Sequence, residues 1–264
     1  ELGMKTRYAV LLGLGACLAQ SAVPLCAQIV TDRPDFVEAA SIVAPLSLQI
    51  ETSFTRSHDE TALSETTTWA TPTLFRLGLI PGLEARVESE WYVNQDVQLL
   101  PTADGLADIA VGLKGEVPLP AGPAVPALVW IVHADLPSGS DAFKGSGVRP
   151  SLRLVAEWEL PHGFALGAMP GVIYDNGTAG RFWAGIFGLV IGKAWTDKVR
   201  SFIEVAFDQL AADSDGGTTG SFNLGGAYLL TNRLQLDGAA SIGINDASDD
   251  FVFTVGLSAL FELR

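Results

Sequence analysis

The chain has 264 residues, of which 48% are hydrophobic and 17% charged, with a mean hydropathy of +0.31. That apolar content excludes a disordered chain, and 16 basic against 30 acidic residues, a formal charge of −14, argues against nucleic acid as a partner.

Residues 1–27 read as a cleaved signal peptide. Lys5 and Arg7 supply the positive start, Tyr8 to Leu18 the apolar run, and Leu25-Cys26-Ala27 before Gln28 the small-residue cleavage site. Leu14-Gly15-Ala16-Cys17 offers a competing lipoprotein box, at the cost of a very short signal and a second apolar run. Cleavage after Ala27 removes both cysteines, so no disulfide and no thiolate metal site is expected. It also removes Glu1, Lys5 and Arg7, which leaves 14 basic and 29 acidic residues and a charge of −15. Beyond residue 27 no apolar run reaches the roughly 18 residues of a transmembrane helix, so any membrane span has to be built from strands.

Residues 28–45 have no clean period, and Pro34 disfavours helix at Arg33. They are expected to form an N-terminal periplasmic segment. Asp32, Arg33 and Asp35 are its candidates for tucking into a barrel mouth, with Arg33 meeting inward acids.

From residue 46 to 264 the period is two. Leu48, Ile50 and Phe54 oppose Gln49, Glu51 and Ser53, and a polar loop is expected from Ser57 to Thr66. Trp69, Thr71, Thr73, Phe75 and Leu77 then oppose Arg76, and Pro81-Gly82 is a tight turn. On the next strand Glu84, Arg86, Glu88, Glu90 and Tyr92 share one face. Asp108, Lys114 and Glu116 follow, then His133 and Asp135, then Arg149, Arg153, Glu157 and Glu159. Phe164 to Tyr174 is a strand, Arg181 to Lys193 another whose facing the pattern leaves open, and Val199 to Asp208 carries Glu204 inward. The closing run from Ser221 to Phe261 holds three strands, with Asp237 inward and a very short turn at Thr231-Asn232.

Charges on the inner face of a dry sandwich would each cost several kcal/mol without a partner, whereas in a wide barrel they face water. Tight turns at 81–82, 161–163, 195–197 and 231–232 alternate with long connections at 57–66, 93–105, 137–147 and 209–220. The pattern therefore predicts an all-β fold: a closed antiparallel transmembrane barrel of about 12 strands, with short periplasmic turns and longer extracellular loops. Pro118 to Pro126 departs from the rule by being long on the short-turn side. Trp69, Trp91, Trp130, Trp158, Trp183, Tyr174 and Tyr228 sit near strand ends as an aromatic girdle would.

Five runs carry a family resemblance: Thr31-Asp32-Arg33-Pro34-Asp35, Leu48-Gln49-Ile50-Glu51, TPTLFRLGL from Thr71, Phe202-Ile203-Glu204, and YLLTNRLQLDGAASIGIN from Tyr228. On these the chain resembles the outer-membrane transporter family associated with the MetA pathway of phenol degradation. The resemblance implies a channel-like barrel linked to uptake of small aromatic compounds. The end of the chain from Thr254 also resembles the terminal-strand signal read by the outer-membrane insertion machinery, although it continues through Glu262-Leu263-Arg264.

His133, Asp135 and Ser138 raise the question of a hydrolytic triad, but residues two apart on a strand project in parallel and do not converge. Asp213, Asp215 and the Asn245–Asp250 loop offer hard oxygen ligands of the kind Ca²⁺ takes, and read more simply as solvated acidic loops. No enzyme activity, cofactor or metal is expected. The inward set, Glu51, Arg76, Glu84, Arg86, Glu88, Glu90, Asp108, Lys114, Glu116, His133, Asp135, Arg149, Arg153, Glu157, Glu159, Glu204 and Asp237, is read as pore-lining. Its acidic excess predicts weak cation preference. The expected partners are outer-membrane lipid and lipopolysaccharide, the insertion machinery and a small-molecule solute. A barrel with a structural or surface-binding role, its lumen plugged by salt bridges, is the alternative.

Overall fold

A computed structural model describes residues 28–61, 64–120, 122, 124–177 and 180–263. The signal-peptide expectation for residues 1–27 lies outside them. The strands are β1 (Ser47–Glu60), β2 (Glu65–Ala70), β3 (Thr73–Ile80), β4 (Leu83–Ser89), β5 (Tyr92–Val97), β6 (Ala103–Leu106), β7 (Ile109–Glu116) and β8 (Ala127–Leu136). They continue as β9 (Arg149–Leu160), β10 (Phe164–Gly177), β11 (Gly180–Ala194), β12 (Val199–Leu210), β13 (Thr218–Thr231), β14 (Leu234–Gly243) and β15 (Phe251–Glu262). All pairings are antiparallel, and β15 returns to β1 from Ser47↔Glu262 to His58↔Phe251, so the sheet closes on itself.

β1 pairs with both β2 and β3, which form one interrupted stave, and β4 with β5 and β6 with β7 do the same. The result is a closed barrel of 12 antiparallel strands. The three interruptions lie side by side, at Thr71-Pro72, Glu90-Trp91 and Ala107-Asp108. Pro72 has no N–H to give the ladder, and Trp91 adopts a left-handed φ of 50°. The backbone is re-satisfied locally: the Thr71 amide donates to Glu90 O and Tyr92 O, and the Ala107 amide donates to Trp91 O at 2.8 Å.

The Trp91 turn corrects one expected facing. Past it the alternation shifts, so Val93 is buried against the wall interior, and Tyr92 is exposed with its hydroxyl donating to Asp104. Two loops are also shorter than their polar composition suggests. β1 runs to Glu60 and β2 starts at Glu65, while β5 and β6 pair inside the 93–105 stretch, because hairpin ladders continue into water where the strands lose their apolar face. The facing of β11 is resolved: Ala184, Ile186 and Val190 are buried, and Trp183, Leu189 and Ile191 are exposed. Outward residues such as Phe54, Leu113, Leu152, Ile203, Leu224, Leu236 and Phe253 form the exposed apolar band that a lipid-facing wall requires.

Residues 28–45 occupy the interior. The Ile29 amide donates to Asn232 O in the short turn between β13 and β14; Pro34 to Phe36 border cavities that also reach the strand interruptions; the segment then returns to the short-turn end, where the Leu46 amide meets Gly78 O at 2.9 Å. Its apolar side chains build the core. Val37 packs with Val129, Ile131, Val155, Met169, Val190, Phe202 and Ala239, and Ile29 and Val43 pack with Leu229 and Leu260. Gly78 makes the return possible, since a Cβ there would lie 2.0 Å from the Ala44 carbonyl oxygen. Gly78→Val is therefore expected to destabilise the barrel by about 1–3 kcal/mol through overpacking, read as a lower temperature for loss of the compact band on unboiled gels. An unchanged transition would contradict this seating of the segment.

Candidate functional site

An irregular segment inside a barrel has no ladder, so each buried N–H and C=O needs a partner from the wall. Inward carboxylates provide most of them. Glu51 accepts the Asp32 amide at 3.0 Å and the Arg33 amide at 3.1 Å, and Glu84 accepts the Val43 amide at 2.8 Å. On the far wall Glu204 accepts the Phe36 and Val37 amides at 2.9 and 2.7 Å, and Glu157 accepts the Ala40 amide at 2.9 Å. Cations take the carbonyls: Arg76 donates to Val30 O and Ser41 O, and Arg200 to Arg33 O and the Thr31 hydroxyl.

On the side formed by β3, β4 and β7 the contacts merge into one ion-pair network. Arg76 bridges Glu84 at 2.8 Å, Glu51 at 3.1 Å and Asp32 at 3.3 Å. Asp32 also takes Arg86 at 2.7 Å and Lys114 at 2.9 Å, while Glu38 takes Arg86 at 2.8 Å and Arg153 at 3.1 Å. Glu51, Arg76, Glu84 and Lys114 are 0% exposed. Burial pushes the Asp32 carboxyl up, but the Arg76, Lys114 and Arg86 charges outweigh it and hold the group well below the usual carboxylate range.

The remaining predicted residues are distributed along the lumen. Glu88 meets His133 Nδ1 at 3.0 Å, Asp135 meets Arg149 at 3.4 Å, and Asp237 meets Arg33 at 3.7 Å. Asp108 accepts the amides of Ser138, Gly139 and Gly145 and so folds the 137–147 loop inward, which seats Phe143 over the lumen. Glu116 and Glu159 are exposed at the short-turn end, and Glu90 is exposed at the strand interruption.

All of these side chains fall on the inward face. For most of the network, however, the expectation that they border water is corrected: the segment covers them. Alternation reports which way a residue points and carries no information about what fills the space it points into. Sequence reasoning also missed Glu38, Gln49, Arg200, Asn223 and Gln235, which bond the segment or its clamps. The four on strands stand at inward positions, so parity alone could have found them.

The segment divides the interior without filling it. Toward the long loops lie cavities of about 600 Å³, bordered by Phe36, Glu88, Glu90, Phe143 and Arg149, and about 520 Å³, bordered by Asp35, Thr55, Asp208 and Asp249. At the short-turn end a cavity of about 640 Å³ is bordered by Gln28, His162, Lys198 and Arg200. Asp35 is half-buried where the two upper cavities meet. Burial pushes its carboxyl up to about 7, against the opposing charge of Arg200. Among the described residues no three His, Cys, Asp or Glu side chains are placed to hold a metal ion, and no helix is long and apolar enough to cross a membrane.

This geometry defines a class: an outer-membrane-type β-barrel whose lumen holds its own N-terminal segment. Residues 31–261 match the model of the family described as "Putative MetA-pathway of phenol degradation", and the chain belongs to that family. Among solved structures, an outer membrane channel from Pseudomonas putida F1 superposes with a TM-score of 0.63 at 13% identity, over 86% of this chain and 99% of that one. The β domain of the Bordetella autotransporter BrkA gives a TM-score of 0.54 at 13% identity (81% and 99% covered), and the KdgM porin in complex with oligogalacturonate 0.52 at 9% (81% and 99%). At these identities the likeness is one of fold. No curated protein sequence matches the chain.

Removing one partner of a buried network leaves the others uncompensated. Arg76→Gln is expected to cost about 3–5 kcal/mol of stability, whereas Glu262→Gln, which breaks the exposed Arg233–Glu262 pair, should cost less than about 1 kcal/mol. Urea unfolding in detergent micelles checks the contrast, and equal effects would contradict it.

Proposed function

We propose that this protein is an outer-membrane channel for small solutes whose lumen is narrowed by residues 28–45. The observation that carries the reading is the pair of cavities, of about 600 and 640 Å³, on opposite sides of the tucked segment, inside a barrel that closes completely. The family description supports small aromatic compounds as the solute class, and the upper cavity of about 600 Å³ suits them. Phe36 and Phe143 offer apolar faces there, and Glu88, Glu90 and Arg149 offer hydrogen bonds to a ring substituent.

The acids along the lumen outnumber the bases, which supports weak cation preference. The outward apolar band would contact lipid. Arg56 over Trp69 and Arg181 over Tyr174 would face lipopolysaccharide phosphates, and β15 would be presented to the insertion machinery after signal-directed export. The buried ion pairs of Arg76, Arg86 and Lys114 favour a second reading, a structural or surface-binding barrel sealed by that network.

Planar-bilayer recording separates the two. A channel gives steps with the intact protein, and deletion of residues 28–44 should raise their conductance several-fold. Silence until the deletion is made would support the sealed barrel, and equal conductance with and without the segment would show that it does not narrow the passage.

Reversal potentials in a salt gradient should also depend on pH. Asp35 faces Arg200 and Glu204 of β12, with Asp32 and Arg33 on its own segment and Glu90 and Glu157 bordering the same spaces. Its carboxyl gains charge as pH rises through about 7, so cation preference should strengthen between pH 6 and 8. Asp35→Asn should flatten that dependence, and a wild-type profile in the variant would remove Asp35 from the account.

A further inference from the structure

We propose that solutes pass the tucked segment on one side only, between it and the wall of β9 to β13, and that Asp35 with Arg200 forms the selectivity-determining constriction of that route. The inference rests on the channel reading. The two sides of the segment differ in kind. Against β3, β4 and β7, Arg76, Glu84 and Lys114 are fully buried and bonded to the segment or its ion-pair partners, which closes the gap between segment and wall at their level, below the upper cavity.

Against the opposite wall there is room. A cavity of about 190 Å³ borders Pro34 and Asp35 at its upper end and Gly163, Ala194, Arg200 and Ala227 at its lower end. Asp35 also lines both upper cavities, while Arg200, Ala194 and Ala227 also line the lower one. The spaces therefore form a series, and every transit between the long-loop and short-turn ends along it passes Asp35 and then Arg200.

The constriction has a defined chemistry. Arg200 is held against the segment by its bonds to Thr31 and Arg33, so its charge stays fixed beside the passage. No ion pair to Asp35 is found among the described residues, so its carboxylate is available to a passing solute. The fixed guanidinium leaves the constriction positive while Asp35 is neutral, and the ionised carboxylate offsets that charge, so neutral hydrogen-bonding solutes are admitted throughout and small cations chiefly when Asp35 is ionised.

Gly192 provides the test, because it lines the connecting cavity and an added Cβ would meet nothing closer than 4.0 Å, at Ala165 and at the Ser201 carbonyl. Gly192→Leu should fold normally, keep the compact band on unboiled gels, and lower single-channel conductance about threefold or more. Asp35→Asn, nearly isosteric, should keep conductance but lower the cation-to-anion permeability ratio at pH 8. Wild-type conductance in the first variant together with wild-type selectivity in the second, both in folded protein, would overturn the route. Absence of channel activity in the wild-type protein would instead overturn the channel reading beneath it.

Discussion

The structure depends on one constraint: a stretch of irregular backbone enclosed by a β-barrel must have its amides and carbonyls bonded by the wall. Residues 28–45 have no strand neighbour, and Glu51, Glu84, Glu157 and Glu204 take the place of one. A carboxylate suits the task because it accepts from two adjacent amides at once, as Glu51 does from Asp32 and Arg33 and Glu204 from Phe36 and Val37. The acidic excess of the sequence thus has a structural use.

The same clamps explain why the segment is held unequally. Around Asp32 the carboxylates are compensated by Arg76, Arg86 and Lys114, and full burial makes any single deletion costly. On the far wall Glu204 is buried and bonded to Asn223, while Glu157 borders open space lined by small residues. One wall is therefore built for attachment, and the other leaves space for passage. The loop drawn inward by Asp108 and the three aligned strand interruptions border the space on the long-loop side.

Much of the barrel was legible in the sequence. Strands β13 to β15 and the inward placement of Asp237 follow from alternation alone, since a half-apolar strand has one consistent facing; the very short turn between β13 and β14 falls one residue later than expected, at Asn232-Arg233. The long Pro118–Pro126 connection on the short-turn side is real. What alternation cannot encode is the meeting of residues far apart in sequence. Nothing local links Asp32 to Lys114, or Val37 to Glu204, and the segment that joins them has no period to read. The facing of Tyr92 was misread for a different reason: the left-handed turn at Trp91 breaks the count, and a tryptophan gives no warning of that conformation.

The central claim, that the segment lies clamped in the lumen of the folded protein, is tested most directly by a disulfide. Both native cysteines, Cys17 and Cys26, fall in residues 1–27, and a Cβ on Gly188 would lie 2.5 Å from a methyl carbon of Val37. In a chain starting at Gln28, the pair Val37→Cys and Gly188→Cys should cross-link almost completely under mild oxidation of outer-membrane vesicles, read as reductant-sensitive mobility on denaturing gels. Free thiols at both positions in folded, oxidised protein would contradict the account.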